Sequence, residues 1–198
     1  MLTFDEAAHA YHWNGAPVPS VTQIISPLSD FSMVREDVMQ AAQEFGTFVH
    51  LTCELYDRGE LNEAELDPQL RPYLDGWIKF CNDSGAKWDT IELREYHDKH
   101  GYAGTADRKG IVFGDPAVVD IKTSVSLSPA VGLQLAAYKN LGNTASKPKT
   151  RRFAVQLRDD GTYRAPEFKD ANDWPTFLSM LNVRNWAAKH SINPNFGA

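Results

Sequence analysis

Gly104-Thr105-Ala106-Asp107 and, further along, Val118-Val119-Asp120-Ile121-Lys122-Thr123 are the stretches whose reading decides the fold. Both read as strands, and they place two carboxylates and a lysine close together. Alternation along the second puts Asp120 and Lys122 on one face and Ile121, with Val119, on the other. An acid and an amine side by side, near a second acid, suit a divalent metal and an attacking water, which is the chemistry of phosphodiester hydrolysis. Two acids and a backbone carbonyl suit a hard cation that keeps several waters. The same pattern also fits plain solvent-facing charges on a half-exposed sheet.

Working outward, Lys87 to Tyr96, Gly101 to Val112 and Ala117 to Thr123 form an antiparallel meander, its last two members joined at Gly114-Asp115-Pro116. Upstream, His9 to Thr22 reads as a hairpin turning at Asn14-Gly15. From Met33 to Tyr56, apolar residues recur three or four apart, with Gly46 making this two helices or one kinked helix. A second helix spans Pro68 to Cys81. Downstream, Pro129 to Tyr138 reads as a helix capped by Ser128. Arg151 to Leu157 and Thr162 to Phe168 make a hairpin around Asp159-Asp160-Gly161, and Asp173 caps a last helix from Trp174 to about Lys189. The order gives an α/β or α+β fold, a mixed sheet flanked by helices.

The 198 residues are 42% hydrophobic and 23% charged, which suits one soluble domain with a substantial core. The start, Met1-Leu2-Thr3-Phe4-Asp5-Glu6, is acidic and lacks the apolar run of a signal peptide. No stretch approaches the roughly 18 apolar residues of a membrane span, so a cytoplasmic location is the expectation. Two cysteines, Cys53 and Cys81, are too few for a four-cysteine zinc or iron–sulfur site and read as reduced, core-packed thiols. A net charge of −6 disfavours a passive nucleic-acid binder but not a nuclease, whose metal-site acids supply part of that charge.

Three further pieces carry little singly. Gln134 and Tyr138 share a helix face and, taken alone, read as a solvated pair. His50, with Glu54 one turn later, reads as an ordinary surface or core histidine. Glu92 stands isolated in a strand.

Taken in order, however, Gly46 to His50, Gly104 to Asp107, Asp120 to Thr123 and Gln134 to Tyr138 match a series of motifs. They are Gly-x-x-x-His, Gly-x-x-Asp, Asp-x-Lys-Thr and Gln-x-x-x-Tyr. The chain resembles the PD-(D/E)XK nuclease superfamily, in its RecB-type, lambda-exonuclease-like branch, over roughly residues 9 to 141. Tyr11 to Thr22 is similar to the start of phage-borne members.

The resemblance implies a restriction-endonuclease-like core over residues 1–198, with 1–30 as an N-terminal hairpin extension and 31–86 as a helical segment. It implies that Asp107 and Asp120 ligate magnesium, with manganese as a substitute, assisted by the Ile121 carbonyl and by His50. Lys122 would position the attacking water, Gln134 and Tyr138 would buttress the lysine or touch DNA phosphate, and Glu92 would be an outer-shell or second-metal acid. Iron–sulfur branches use four cysteines, so no cluster is expected here.

For DNA contacts the sequence offers Arg108 and Lys109, and the run Lys147-Pro148-Lys149-Thr150-Arg151-Arg152. A short basic run of this kind also suits an ordinary solvated surface. Tyr11, Trp13 and Phe31 are candidates for stacking on bases. The implied function is a magnesium-dependent exonuclease acting on DNA ends in recombination or repair. A single-strand annealing protein is a candidate partner and a homo-oligomer a candidate assembly. A structure- or sequence-specific endonuclease of the same fold, and a non-catalytic DNA-binding or assembly protein, remain the alternatives.

Overall fold

Ala117, Val119 and Ile121 face one side of their strand and Val118 the other, and helices cover both sides. A strand buried on both faces reads as a nearly continuous apolar run, and this one does. The computed structural model describes residues 1–28, 35–142 and 149–192. Phe31, Lys147 and the expected helix start at Met33 lie outside the described residues.

Two sheets are present. Strands β1 (Leu2–Asp5), β2 (Ala10–Trp13) and β3 (Ala16–Val18) form a small antiparallel sheet in that order. The expected turn is there, with Asn14 and Gly15 both at positive φ, while β1 is an addition to the expected hairpin. The main sheet runs β4 (Lys87–His97), β5 (Tyr102–Val112), β6 (Asp115–Lys122), β7 (Arg151–Leu157) and β8 (Tyr163–Arg164). Only the β6–β7 pair is parallel, so the sheet is mixed as expected. The β5–β6 turn falls at Phe113-Gly114, both at positive φ, and Asp115 and Pro116 already belong to β6. The second hairpin is shorter than expected. β8 has two residues, after which Pro166, lacking an N–H, leaves its carbonyl to accept from Ala154.

Helix α1 (Val21–Ile25) follows β3, and α2 (Glu36–Arg58) and α3 (Arg71–Ser84) precede β4. Helix α4 (Ala130–Lys139) connects β6 to β7, and α5 (Asp173–Lys189) is the last helix among the described residues. Helices α2 and α3 cover one face through Val49, Cys53, Trp77 and Phe80, while α1, α4 and α5 cover the other through Ile24, Leu135, Phe177 and Leu181. Cys53 is buried and Cys81 half-buried, both as free thiols. Helix α4 is buried from Ala130 to Tyr138, since it lies between the sheet and α5. Asp173 begins α5 but caps nothing; its carboxylate accepts from Arg152 Nη1 at 2.7 Å. Among the described residues no helix is long and apolar enough to cross a membrane.

Candidate metal centre

The main sheet forks where β5 leaves β6. Their pairing begins at the turn and stops at Arg108 opposite Val119, one residue short of Asp107 and Asp120. Beyond that point the Ile121 N–H has lost its strand partner, and the Asp107 carboxylate takes it at 2.7 Å. A buried N–H must find an acceptor, and here a side chain replaces the ladder. The strand also turns over at Asp107. Ala106 packs toward α4 and α5, whereas Arg108, two residues on, reaches Asp57 of α2 on the opposite side. The free end of β5 is held by the N-terminal segment instead, Ala103 N donating to Pro19 O and Tyr11 bonding Thr105 at 2.6 Å.

Five elements, α2, β4, β5, β6 and α4, direct side chains into this fork. Helix α2 approaches the end of β6 at Gly46, where a Cβ would sit 3.3 Å from Thr123 Oγ1. One turn later His50 Nε2 lies 3.0 Å from the Ile121 carbonyl, and its Nδ1 lies 3.5 Å from Asp107 Oδ2. From β4 comes Glu92, opposite Asp107 and at a φ of 49°, a left-handed conformation unusual for glutamate. His50, Glu92 and Asp107 each offer a ligand atom within 4.8 Å of the others.

Asp120, on β6, is 1% exposed, and Lys122 Nζ lies 2.8 Å from its Oδ2. That Oδ2 is buried, with the lysine ammonium beside it. Lys122 also donates to Gln134 Oε1 at 3.1 Å, and Gln134 Nε2 to the Tyr138 hydroxyl at 3.1 Å. The pair that read as a solvated helix face is buried, and its polar atoms are spent on the lysine and on each other.

Burial pushes Glu92 up to about 8, with Asp107 beside it adding to the rise and Arg108 opposing it. Burial likewise raises Asp120 to about 6, against the pull of Lys122. For Lys122, burial works against the charge, but Asp120 and Asp107 outweigh it and hold the ammonium above its ordinary value. Three acids crowded into one water-poor place, two holding protons more tightly than usual, make a donor set that a divalent cation would satisfy. The carbonyl of Ile121 and the imidazole of His50 would complete a mixed oxygen and nitrogen donor set for a divalent cation. A cleft of about 490 Å³ opens onto His50 and Glu92 between α2 and the N-terminal sheet.

The basic residues are placed elsewhere. Arg108, expected at DNA, is fully buried, its guanidinium donating to Asp57, Glu92 and the Asp107 carbonyl. Its Nη2 makes no hydrogen bond but is buried as well, so a phosphate in solvent does not reach it. Arg152 is buried too, held by Asp173 and the Gly132 carbonyl. Arg151 is bound to Glu167 through two nitrogens. Lys149 is exposed. Arg151 pairs with Ala117 at the start of β6 while Lys122 pairs with Gln156, so this run lies at the opposite end of the sheet from the fork. Lys109 pairs with Glu95. Two of the aromatic candidates are also committed: Trp13 stacks on Tyr96 at 4.3 Å, and Tyr11 is buried.

Asp57 was not foreseen. It lies seven residues after His50, hence two turns along the same helix face, and that spacing was the only available signal.

No protein-family model and no curated protein sequence matches the chain. Among solved structures it is similar to an alkaline exonuclease (LHK-Exo) from Laribacter hongkongensis, at 14% identity and a TM-score of 0.41, over 87% of this chain and 91% of that one. A structure of LHK-Exo in complex with dAMP matches at 15% identity and a TM-score of 0.40, over 88% and 93% of the two chains.

Proposed function

We propose that the chain is a magnesium-dependent DNA nuclease, working as an exonuclease on DNA ends. The observation that carries this reading is the fork itself, where His50, Glu92 and Asp107 converge beside an Asp120–Lys122 ion pair. The motif resemblance supports it, because its metal, lysine and glutamine positions all fall in this one place.

In this reading Asp107, Asp120, the Ile121 carbonyl and His50 hold the cation, with Glu92 as a further acid. A divalent ion held there would supply positive charge for the scissile phosphate and make a nearby water more acidic. The protein's own part is positioning. Asp107 is fixed by the Ile121 N–H, which leaves its second oxygen for the site. Lys122, kept charged by Asp120, donates to the attacking water and offsets the negative charge that develops on phosphorus. Gln134, steadied by Tyr138, holds the ammonium so that it does not fold down entirely onto Asp120. DNA lies along the cleft beside α2. The setting proposed is recombination or repair, with a single-strand annealing protein as partner and a closed homo-oligomer as assembly.

The test is incubation of end-labelled single- and double-stranded DNA with wild type, Asp120→Ala and Lys122→Ala in magnesium or manganese. Wild type should release nucleotides from linear DNA and spare closed circles, while both variants are inert. Loss of closed circles at the linear rate would reassign it as an endonuclease. Wild type that degrades no DNA, with both variants behaving identically, would leave a non-catalytic DNA-binding protein.

A further inference from the structure

Among the described residues Arg108 is the largest charged side chain sealed inside the protein, and two of its bonds lead to residues of the fork. Its Nε donates to Asp57 Oδ2 at 2.7 Å, and Nη1 donates to Glu92 Oε1 at 3.1 Å and to the Asp107 carbonyl at 2.7 Å. One guanidinium therefore joins α2, β4 and β5 at the level where β5 parts from β6. Its anchor is equally fixed. Asp57 also accepts from Trp77 Nε1 at 3.0 Å, Trp77 stacks on Trp88 at 5.6 Å, and the guanidinium lies 5.5 Å from the Trp77 ring. The planar fork of arginine can satisfy two acids and a carbonyl at once, which a lysine cannot.

What this bracket holds is not relaxed. Glu92 keeps a left-handed backbone in the middle of a strand, a conformation that costs energy and persists only where its surroundings enforce it. Its carboxylate, turned by that conformation, is bonded to Arg108 on one side and lies near His50 and Asp107 on the other. A buried ion pair is weak ground for stability by itself, because desolvation offsets much of the attraction. Placement of the acids is the better account of why an arginine sits there.

We propose that Arg108, anchored by Asp57, is the positioning residue of the metal centre, aiming the Glu92 carboxylate at the bound cation and holding the Asp107 main chain from which that residue's carboxylate projects. This rests on the reading of the fork as a metal site. Arg108 touches neither substrate nor metal and acts through Glu92.

Calorimetric titration with Mn²⁺ alone tests it, without reference to activity. Asp57→Asn keeps the side-chain volume and removes the anchoring charge, and Arg108→Lys keeps the charge and removes the fork. Each should weaken Mn²⁺ binding about 10- to 100-fold, the range seen when the partner of a ligand is removed. In a Glu92→Gln background, Arg108→Lys should cost little more, because the two act in series. If wild type binds Mn²⁺ and cleaves DNA while folded Asp57→Asn and Arg108→Lys bind within twofold of it, the positioning role is overturned and the nuclease reading stands. Full additivity with Glu92→Gln would overturn it too, and that cycle serves even if Asp57→Asn fails to fold, just as Asp57→Asn carries the test if Arg108→Lys fails. Wild type that binds no Mn²⁺ overturns both readings.

Discussion

Lys122 meets two partners, Asp120 and Gln134, and the difference between them sets what each substitution should do. Asp120 supplies charge; Gln134 supplies only direction. Gln134→Leu fills a similar volume but leaves the Tyr138 hydroxyl and one lysine N–H without their partner, at a cost of about 1–3 kcal/mol. The expected result is a fold retained by circular dichroism, DNA cleavage slowed about tenfold or more, and unchanged Mn²⁺ affinity; equal losses of rate and affinity would show that Gln134 acts through the ligands instead. At this scale the sequence exposed the reactive residues and hid their setting. Asp107, Asp120 and Lys122 were visible because strand alternation fixes their faces. Gln134 and Tyr138 read as solvated because a four-residue spacing does not say which way a helix faces. Arg108 read as a DNA contact because nothing local marks an arginine as buried. Its acids, Asp57 and Glu92, stand 51 and 16 residues away along the chain.

Helix α2 and strand β5 owe their positions to glycines whose roles the sequence only half disclosed. Gly46 reads as a break, yet α2 runs unbroken for 23 residues. The missing side chain is used for approach to Thr123 instead, and that approach brings His50 to Ile121. Gly104 is tighter: a Cβ there would sit 3.0 Å from both Tyr138 and Val21. Gly104→Ala should therefore overpack the joint between β5 and α4, costing about 1–3 kcal/mol in chemical denaturation. Because the clash falls on Tyr138, cleavage should drop as well; an alanine variant of wild-type stability would show that the joint has room. Strand positions were legible throughout the meander, since β6 has a clear apolar run and glycine turns bound the strands on either side. The β5–β6 fork was not, because it depends on where pairing stops, and pairing is a property of two strands together.

Over the whole molecule, the mixed sheet with helices on both faces follows from element order and from β6 being apolar on both sides, so the fold class was legible from the start. The second, small sheet was only half legible, since β1 alternates over just four residues, too few to mark a strand by themselves. The cost of gathering acids at the fork should appear as a pH dependence of stability. In the metal-free protein Glu92 is raised from 4.5 to about 8 and Asp120 from 3.8 to about 6, so the folded state holds these protons more tightly than the unfolded chain. Their contribution to stability is full below about pH 4 and is lost as pH rises toward 8. Divalent metal needs the same groups ionised, so the rise in Tm caused by Mg²⁺ should be near zero at pH 5 and grow to several degrees at pH 8. A metal-induced shift that is the same at both pH values would contradict this account. The central claim, that the fork is a metal-dependent nuclease centre, is tested most directly by release of labelled nucleotide from linear DNA in Mg²⁺ by wild type and by Asp120→Asn. The account predicts release by wild type that chelation abolishes, and a rate at least 100-fold lower for the variant. Release that survives chelation, or an Asp120→Asn rate equal to wild type, would contradict it.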